Sequence, residues 1–222
     1  TSHEYRVEQS QVFEHGGQDQ DPVGLEGAVL KGVNVLSHCC IAVSIIERVK
    51  DGATRNTTEK RRNYRQHNYT ILKYRSESVN LAATSKPAVT TISLAFPIDE
   101  NLKPQHSEDG ELVFTYLPVT AAGFGFAINA DFELVASRQD VSDSHSGNHV
   151  ILGRIPPLFV HAILQDPALG EDAFPTYLPD VEALRKGHRN GAGRKWHALA
   201  SALHRETGSW MMIPTEDGTK QH

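Results

Sequence analysis

The chain has 222 residues, with 22 Lys and Arg against 27 Asp and Glu, a formal net charge of −5 and a pI near 6.2. That length suffices for one substantial core, or for a domain with a helical appendage. The acidic balance argues against nucleic acid or an anionic membrane as the main partner, and no apolar run reaches the roughly 18–20 residues of a membrane-spanning helix.

In chain order, residues 1–27 are polar and lack a sustained period, which reads as a tail or an edge segment without a signal-peptide core. The chain then turns apolar, and Ile41-Ala42-Val43-Ser44-Ile45-Ile46 predicts a buried strand over 40–47, entered through a short helix or turn. Cys39 and Cys40 are adjacent, which disfavours a bond between them and points to a reduced, intracellular protein, cytoplasmic or nuclear. Asp51-Gly52 marks a turn. The charged stretch 54–66, with Lys60-Arg61-Arg62, reads as a solvated hairpin loop. Strands are expected over 67–75, carried by Tyr69, Ile71 and Leu72, and over 88–96, closed by Pro97, with a connector at 79–87 between them. A polar loop over 99–110 follows.

The stretch from Glu111 to Val141 organises the chain. Leu112-Val113-Phe114-Thr115-Tyr116-Leu117 suits a strand that Pro118 ends, and Thr120-Ala121-Ala122-Gly123 suits a turn. Phe124, Phe126, Ile128, Ala130, Phe132 and Leu134 then recur at every second position and predict one long amphipathic strand. At its end stands Ser137-Arg138-Gln139-Asp140. A guanidinium stays charged and matches phosphate oxygens bidentately, so Arg138 is a candidate phosphate ligand. The alternative is a structural clamp, with Arg138 paired to Asp140 or Asp131.

Beyond it, Val150, Ile151, Ile155, Phe159, Val160, Ile163 and Leu164 suit a helix face. Pro156-Pro157 should split it into a turn and a helix over 157–165. A proline-punctuated linker covers 167–179. A helix opens at Pro179-Asp180, runs through Leu184 and is broken by the glycines of 187–193. A last helix with Trp196, Leu199, Ala200 and Leu203 ends near Thr207-Gly208, and residues 210–214 suit a docking strand. The expected fold is α+β: a mainly antiparallel sheet of about five strands, with helices mostly in the C-terminal third. The expected divisions are an edge segment at 1–27, a core domain at 28–166, and a linker with helical appendage at 167–222. No metal site is expected. His145 and His149 are four apart but straddle Gly147 and lack a third ligand, and no Cys/His pair has a recognisable frame.

TISLAFPI (91–98), LVFTYLPV (112–119) and GFGFAINADFELVASRQDV (123–141), followed by Asn148 and the Ile155–Phe159 helix, together resemble a block in sacsin and NO VEIN-type proteins. There it follows a GHKL-type (heat-shock-ninety-like) ATPase domain. The resemblance spans roughly residues 40–165 and is clearest over 91–165. Leu-Val-Ala-Ser-Arg-Gln-Asp is also similar to the catalytic loop in the middle domain of the ninety-kilodalton heat-shock chaperones, whose arginine reaches the ATP γ-phosphate. The resemblance therefore implies Arg138 as the catalytic and nucleotide-contacting residue, with Ser137 shaping the turn. It departs at Gly147, where the family usually carries tryptophan. The nucleotide-binding half is also missing, since neither its Glu/Asn helix pair nor its Asp-x-Gly-x-Gly loop occurs. The resemblance thus implies no cofactor bound by this chain alone and no ATPase activity in isolation. ATP and Mg²⁺ would sit on a neighbouring GHKL-type domain, of the same parent chain or a separate one, in a chaperone-like system that engages a client protein. A non-catalytic interaction module, docking through the sheet face, the C-terminal helices or the tryptophans Trp196 and Trp210, is the alternative.

Overall fold

The computed structural model describes residues 2–16, 33, 35–50, 57–72, 89–105, 110–169, 174–182, 184, 193–210, 213–214 and 220–221. Seven strands form one sheet: β1 (Ser2–Gly16), β2 (Val35–Lys50), β3 (Thr57–Leu72), β4 (Val89–Ile98), β5 (Glu111–Thr115), β6 (Leu117–Phe124) and β7 (Ala127–Ala130), in the order β1-β2-β3-β4-β7-β5-β6. The helices are α1 (Ser146–Gln165) and α2 (Arg194–Trp210), with a 3₁₀ turn at Phe174–Thr176 and a small ribbon of β8 (Ile213–Pro214) and β9 (Lys220–Gln221).

This architecture corrects the expected fold class. The chain is mostly sheet, with seven strands instead of about five and two long helices among the described residues. The sheet is mixed, because β7 inserts between β4 and β5 and runs parallel to β5, pairing Val113 with Ile128 and Phe114 with Asn129.

The N-terminal half forms a long antiparallel ribbon. Residues 2–16 are the edge strand β1, and the charged stretch expected as a loop is strand from residue 57 onward. Ion pairs line its exposed part, Arg48 with Glu59 at 3.0 Å and Arg61 with Glu8 at 3.7 Å. The Asp51-Gly52 turn, the 79–87 connector and the approach to β2 at 28–32 lie outside the described residues. Cys39 and Cys40 face opposite sides of the sheet as neighbours on one strand must, and both are free.

The alternation after Gly123 assigns the faces correctly: Phe124, Phe126, Ile128, Ala130 and Phe132 are all buried. The backbone is not one strand, however. It is interrupted at Gly125, whose N–H donates to the Tyr177 carbonyl at 3.3 Å. Thr120–Gly123, expected as a turn, is part of β6, and Pro118 pairs with Phe114 inside a hairpin that reverses at Tyr116. Tyr116 makes that reversal with φ at 62°.

Helix α1 runs unbroken through Pro156 and Pro157. Each proline removes a helical hydrogen bond. Burial of Ile151, Ile155, Leu158, Phe159 and Ala162 against the sheet offsets that loss. Phe96, Phe126, Phe159 and Tyr177 meet with ring centroids 5.0–5.7 Å apart, and Phe124 meets Trp196 of α2 at 6.1 Å. Trp196 is therefore core and offers no docking surface; the side chain of Trp210 lies outside the described residues. No helix among the described residues is long and apolar enough to cross a membrane.

Candidate functional site

Arg138 sits on a tight turn that closes on the bridge between Leu134 and Val141. Its N–H donates to the Val135 carbonyl at 2.8 Å, and Val135 N–H to the Asp140 carbonyl at 3.0 Å. Its φ is 58°, a left-handed conformation that few non-glycine residues adopt. Ser137, Arg138 and Gln139 are all exposed.

The base of this turn is held firmly. Asn148, in the first turn of α1 and 1% exposed, accepts from the Glu133 N–H at 2.9 Å and donates to the Glu133 and Ser142 carbonyls, each at 2.8 Å. From α2, Lys195 donates to Asp140 at 2.7 Å and pairs with Asp143 at 3.1 Å. These partners answer the clamp alternative. Asp140 is taken by Lys195, and Asp131 accepts from the Tyr116 hydroxyl at 2.7 Å and from the Thr90 hydroxyl at 3.0 Å. Among the described residues Arg138 forms no ion pair, so its guanidinium faces solvent from an anchored backbone.

A second constellation lies inside the protein, between the sheet and the C-terminal end of α1. The β2–β3 register sets Cys40 opposite His67 and His38 opposite Tyr69, on the helix-facing side. Asp166 caps α1, and its Oδ1 accepts from the Ala168 N–H at 2.9 Å, which leaves Oδ2 for the cluster. Cys40 Sγ lies 3.5 Å from both His67 Nε2 and Asp166 Oδ2, and His67 Nε2 lies 3.3 Å from Asp166 Oδ2. Behind His67, its Nδ1 is 3.0 Å from His38 Nε2, while the Tyr69 hydroxyl is 3.0 Å from His161 Nδ1 and donates to the Leu158 carbonyl at 3.3 Å.

Burial governs the electrostatics here. Desolvation, reinforced by the Asp166 charge, pushes the Cys40 thiol up to about 12, far from a reactive thiolate. Desolvation also lowers His67, against the opposing pull of Asp166. Burial raises Asp166, yet its bonds to His67 and the Ala168 N–H, with Arg65 nearby, bring it below the ordinary carboxylate range. Cys40, His67 and Asp166 are all buried, a setting that does not favour a nucleophilic thiolate.

Sequence reasoning missed this cluster, because Cys40, His67 and Asp166 share no local spacing. The strand pairing could have linked the first two; Asp166 needed the docked end of α1. Among the described residues His145 and His149 join no such group, and the His149 ring bonds the Asp143 carbonyl at 2.9 Å.

Over 82 residues the chain is 37% identical to Protein NO VEIN of Arabidopsis thaliana, a match covering 33% of this chain and 3% of that protein. The chain is similar to NO VEIN. That likeness spans a small fraction of NO VEIN's own length. No family model matches the chain, and no solved structure does.

Proposed function

We propose that the chain is an accessory, middle-type domain of a GHKL (heat-shock-ninety-like) ATPase, and that it presents Arg138 to ATP held on a neighbouring domain. The observation that carries this reading is the Arg138 turn itself. Its backbone is fixed by Asn148 and Lys195, and the carboxylates that could neutralise the guanidinium are engaged elsewhere. A preorganised arginine supplied from a second domain stabilises charge during phosphoryl transfer with little reorganisation. Ser137 shapes the turn. The similarity to NO VEIN, with the resemblance to sacsin-type sequences, supports placing the partner ATPase beside this domain, in a chaperone-like assembly acting on a client.

In this role the chain alone neither binds nor hydrolyses ATP. Calorimetry with ATP·Mg²⁺ on the isolated chain tests that: no heat of binding is expected, and micromolar affinity would overturn the division of labour.

A second reading, a non-catalytic interaction module, is favoured by the tip of the β5–β6 hairpin, where Tyr116 is 81% and Leu117 73% exposed. Partner capture that ignores nucleotide and is lost in Leu117→Asp would favour it over the first.

A further inference from the structure

The atoms Cys40 Sγ, His67 Nε2 and Asp166 Oδ2 form a triangle with edges of 3.5, 3.5 and 3.3 Å. Zinc–ligand bonds of about 2.3 Å to sulfur and about 2.0–2.1 Å to nitrogen and oxygen, at tetrahedral angles, place such ligands about 3.5 Å apart when sulfur is one of them and about 3.3 Å apart for nitrogen and oxygen. The triangle is one face of that tetrahedron. We propose that Cys40, His67 and Asp166 bind a divalent metal ion of the zinc class, which pins the β2–β3 ribbon to the end of α1.

Two further features fit a cation here. The site lies at the C-terminus of a 20-residue helix, the end whose dipole favours positive charge. His67 has His38 behind its other ring nitrogen at 3.0 Å, the backing that orients a ligating imidazole. Against it, Arg65 Nε, with no hydrogen-bond partner among the described residues, lies 3.6 Å from Asp166 Oδ2 and competes with a metal for that carboxylate.

The proton balance is defined. With the His67 proton on Nε2, the thiol and that N–H both donate to Asp166 Oδ2 in the metal-free chain, and His38 Nε2–H donates to His67 Nδ1. On binding, Cys40 loses its proton to solvent. The imidazole proton of His67 moves from Nε2 to Nδ1, which then donates to His38 Nε2, and the proton of His38 shifts from Nε2 to its own Nδ1. A thiolate, a carboxylate and a neutral imidazole face the dication, and Arg65 leaves the group with one excess positive charge. That excess weakens the site relative to one without the arginine. All three ligands are at most 2% exposed, so the ion is structural and admits no substrate.

Co²⁺ titration of the chelator-treated full chain, followed by absorption, tests the proposal. One equivalent should produce a thiolate-to-cobalt charge-transfer band with d–d bands of tetrahedral intensity, and Zn²⁺ should bleach them. Cys40→Ser should abolish the charge-transfer band and Cys39→Ser should keep it. Zn²⁺ should raise the melting temperature of the wild-type chain and leave that of Asp166→Asn unchanged. A wild-type chain that gives no charge-transfer band, or a band that survives Cys40→Ser, overturns the assignment. The wild-type titration decides even if the variants fold poorly.

Discussion

The side-chain amide of Asn148 grips Glu133 from both directions, accepting from its N–H at 2.9 Å and donating to its carbonyl at 2.8 Å. The same amide reaches the Ser142 carbonyl, so one helix residue ties together both sides of the base of the Arg138 turn. Asn148→Ala removes three bonds at a buried position and should lower stability by about 2–4 kcal/mol. Denaturant unfolding measures that loss. Hydrogen exchange should show protection lost first at Val135 and Arg138.

Gly125 packs directly against the backbone at Thr176 and Tyr177. A Cβ there would meet Tyr177 Cα at 2.8 Å and the Thr176 carbonyl oxygen at 2.9 Å, both backbone atoms. Gly125→Ala should therefore force the 3₁₀ segment away from the sheet and cost about 1–3 kcal/mol, read as a lower melting temperature.

The interruption at Gly125 also shows where sequence reasoning stopped. The buried face of Phe124, Phe126, Ile128, Ala130 and Phe132 was legible, because side-chain alternation survives a break in the ladder. The break was not, since its cause is the Tyr177 backbone, distant in the chain. The outer part of β3, residues 57–66, was read as a loop for another reason. The strand's outer half projects beyond the core, so Lys60, Arg61 and Arg62 carry no apolar alternation, while its inward positions at Arg65 and His67 are polar because they face the buried cluster. The proline pair in α1 misled in the opposite sense: local propensity argued for a break, and packing overrode it. The Ser137–Asp140 turn was legible as a polar terminus, but its anchoring by Asn148 and Lys195 needed the fold.

The two adjacent cysteines should differ in reactivity. Cys39 is half-buried on the open face of the sheet, whereas Cys40 is fully buried with its thiol pushed up to about 12. At neutral pH a thiol reagent should modify Cys39 first and reach Cys40 only on unfolding. Cys39→Ser should then show almost no reaction in the native state, and rapid native-state labelling of that variant would contradict the burial.

Acid should destabilise the metal-free chain in two steps. His67, facing Asp166, Arg65, Cys40, His38 and Tyr69, has its folded pKa depressed mainly by burial. The unfolded state therefore takes up its proton first as pH falls below about 6.5, and stability drops by up to about 1.4 kcal/mol per pH unit until the folded value is reached. Asp166 is desolvated but held low by His67 and the Ala168 N–H, so its contribution is present above about pH 4 and is lost as pH falls further. Melting temperatures between pH 8 and pH 4, for the wild type and His67→Gln, check the first step. The variant should show a flatter profile between about pH 6.5 and pH 5.

The central claim is that Arg138 acts on a nucleotide held by a neighbouring domain, and the most direct measurement is ATP turnover by that assembly with Arg138 replaced. The exposed side chain touches no described partner, so Arg138→Ala should leave the melting temperature unchanged while lowering turnover by about 10³-fold or more, with Arg138→Lys restoring only part of it. Turnover by Arg138→Ala at the wild-type rate would contradict the account.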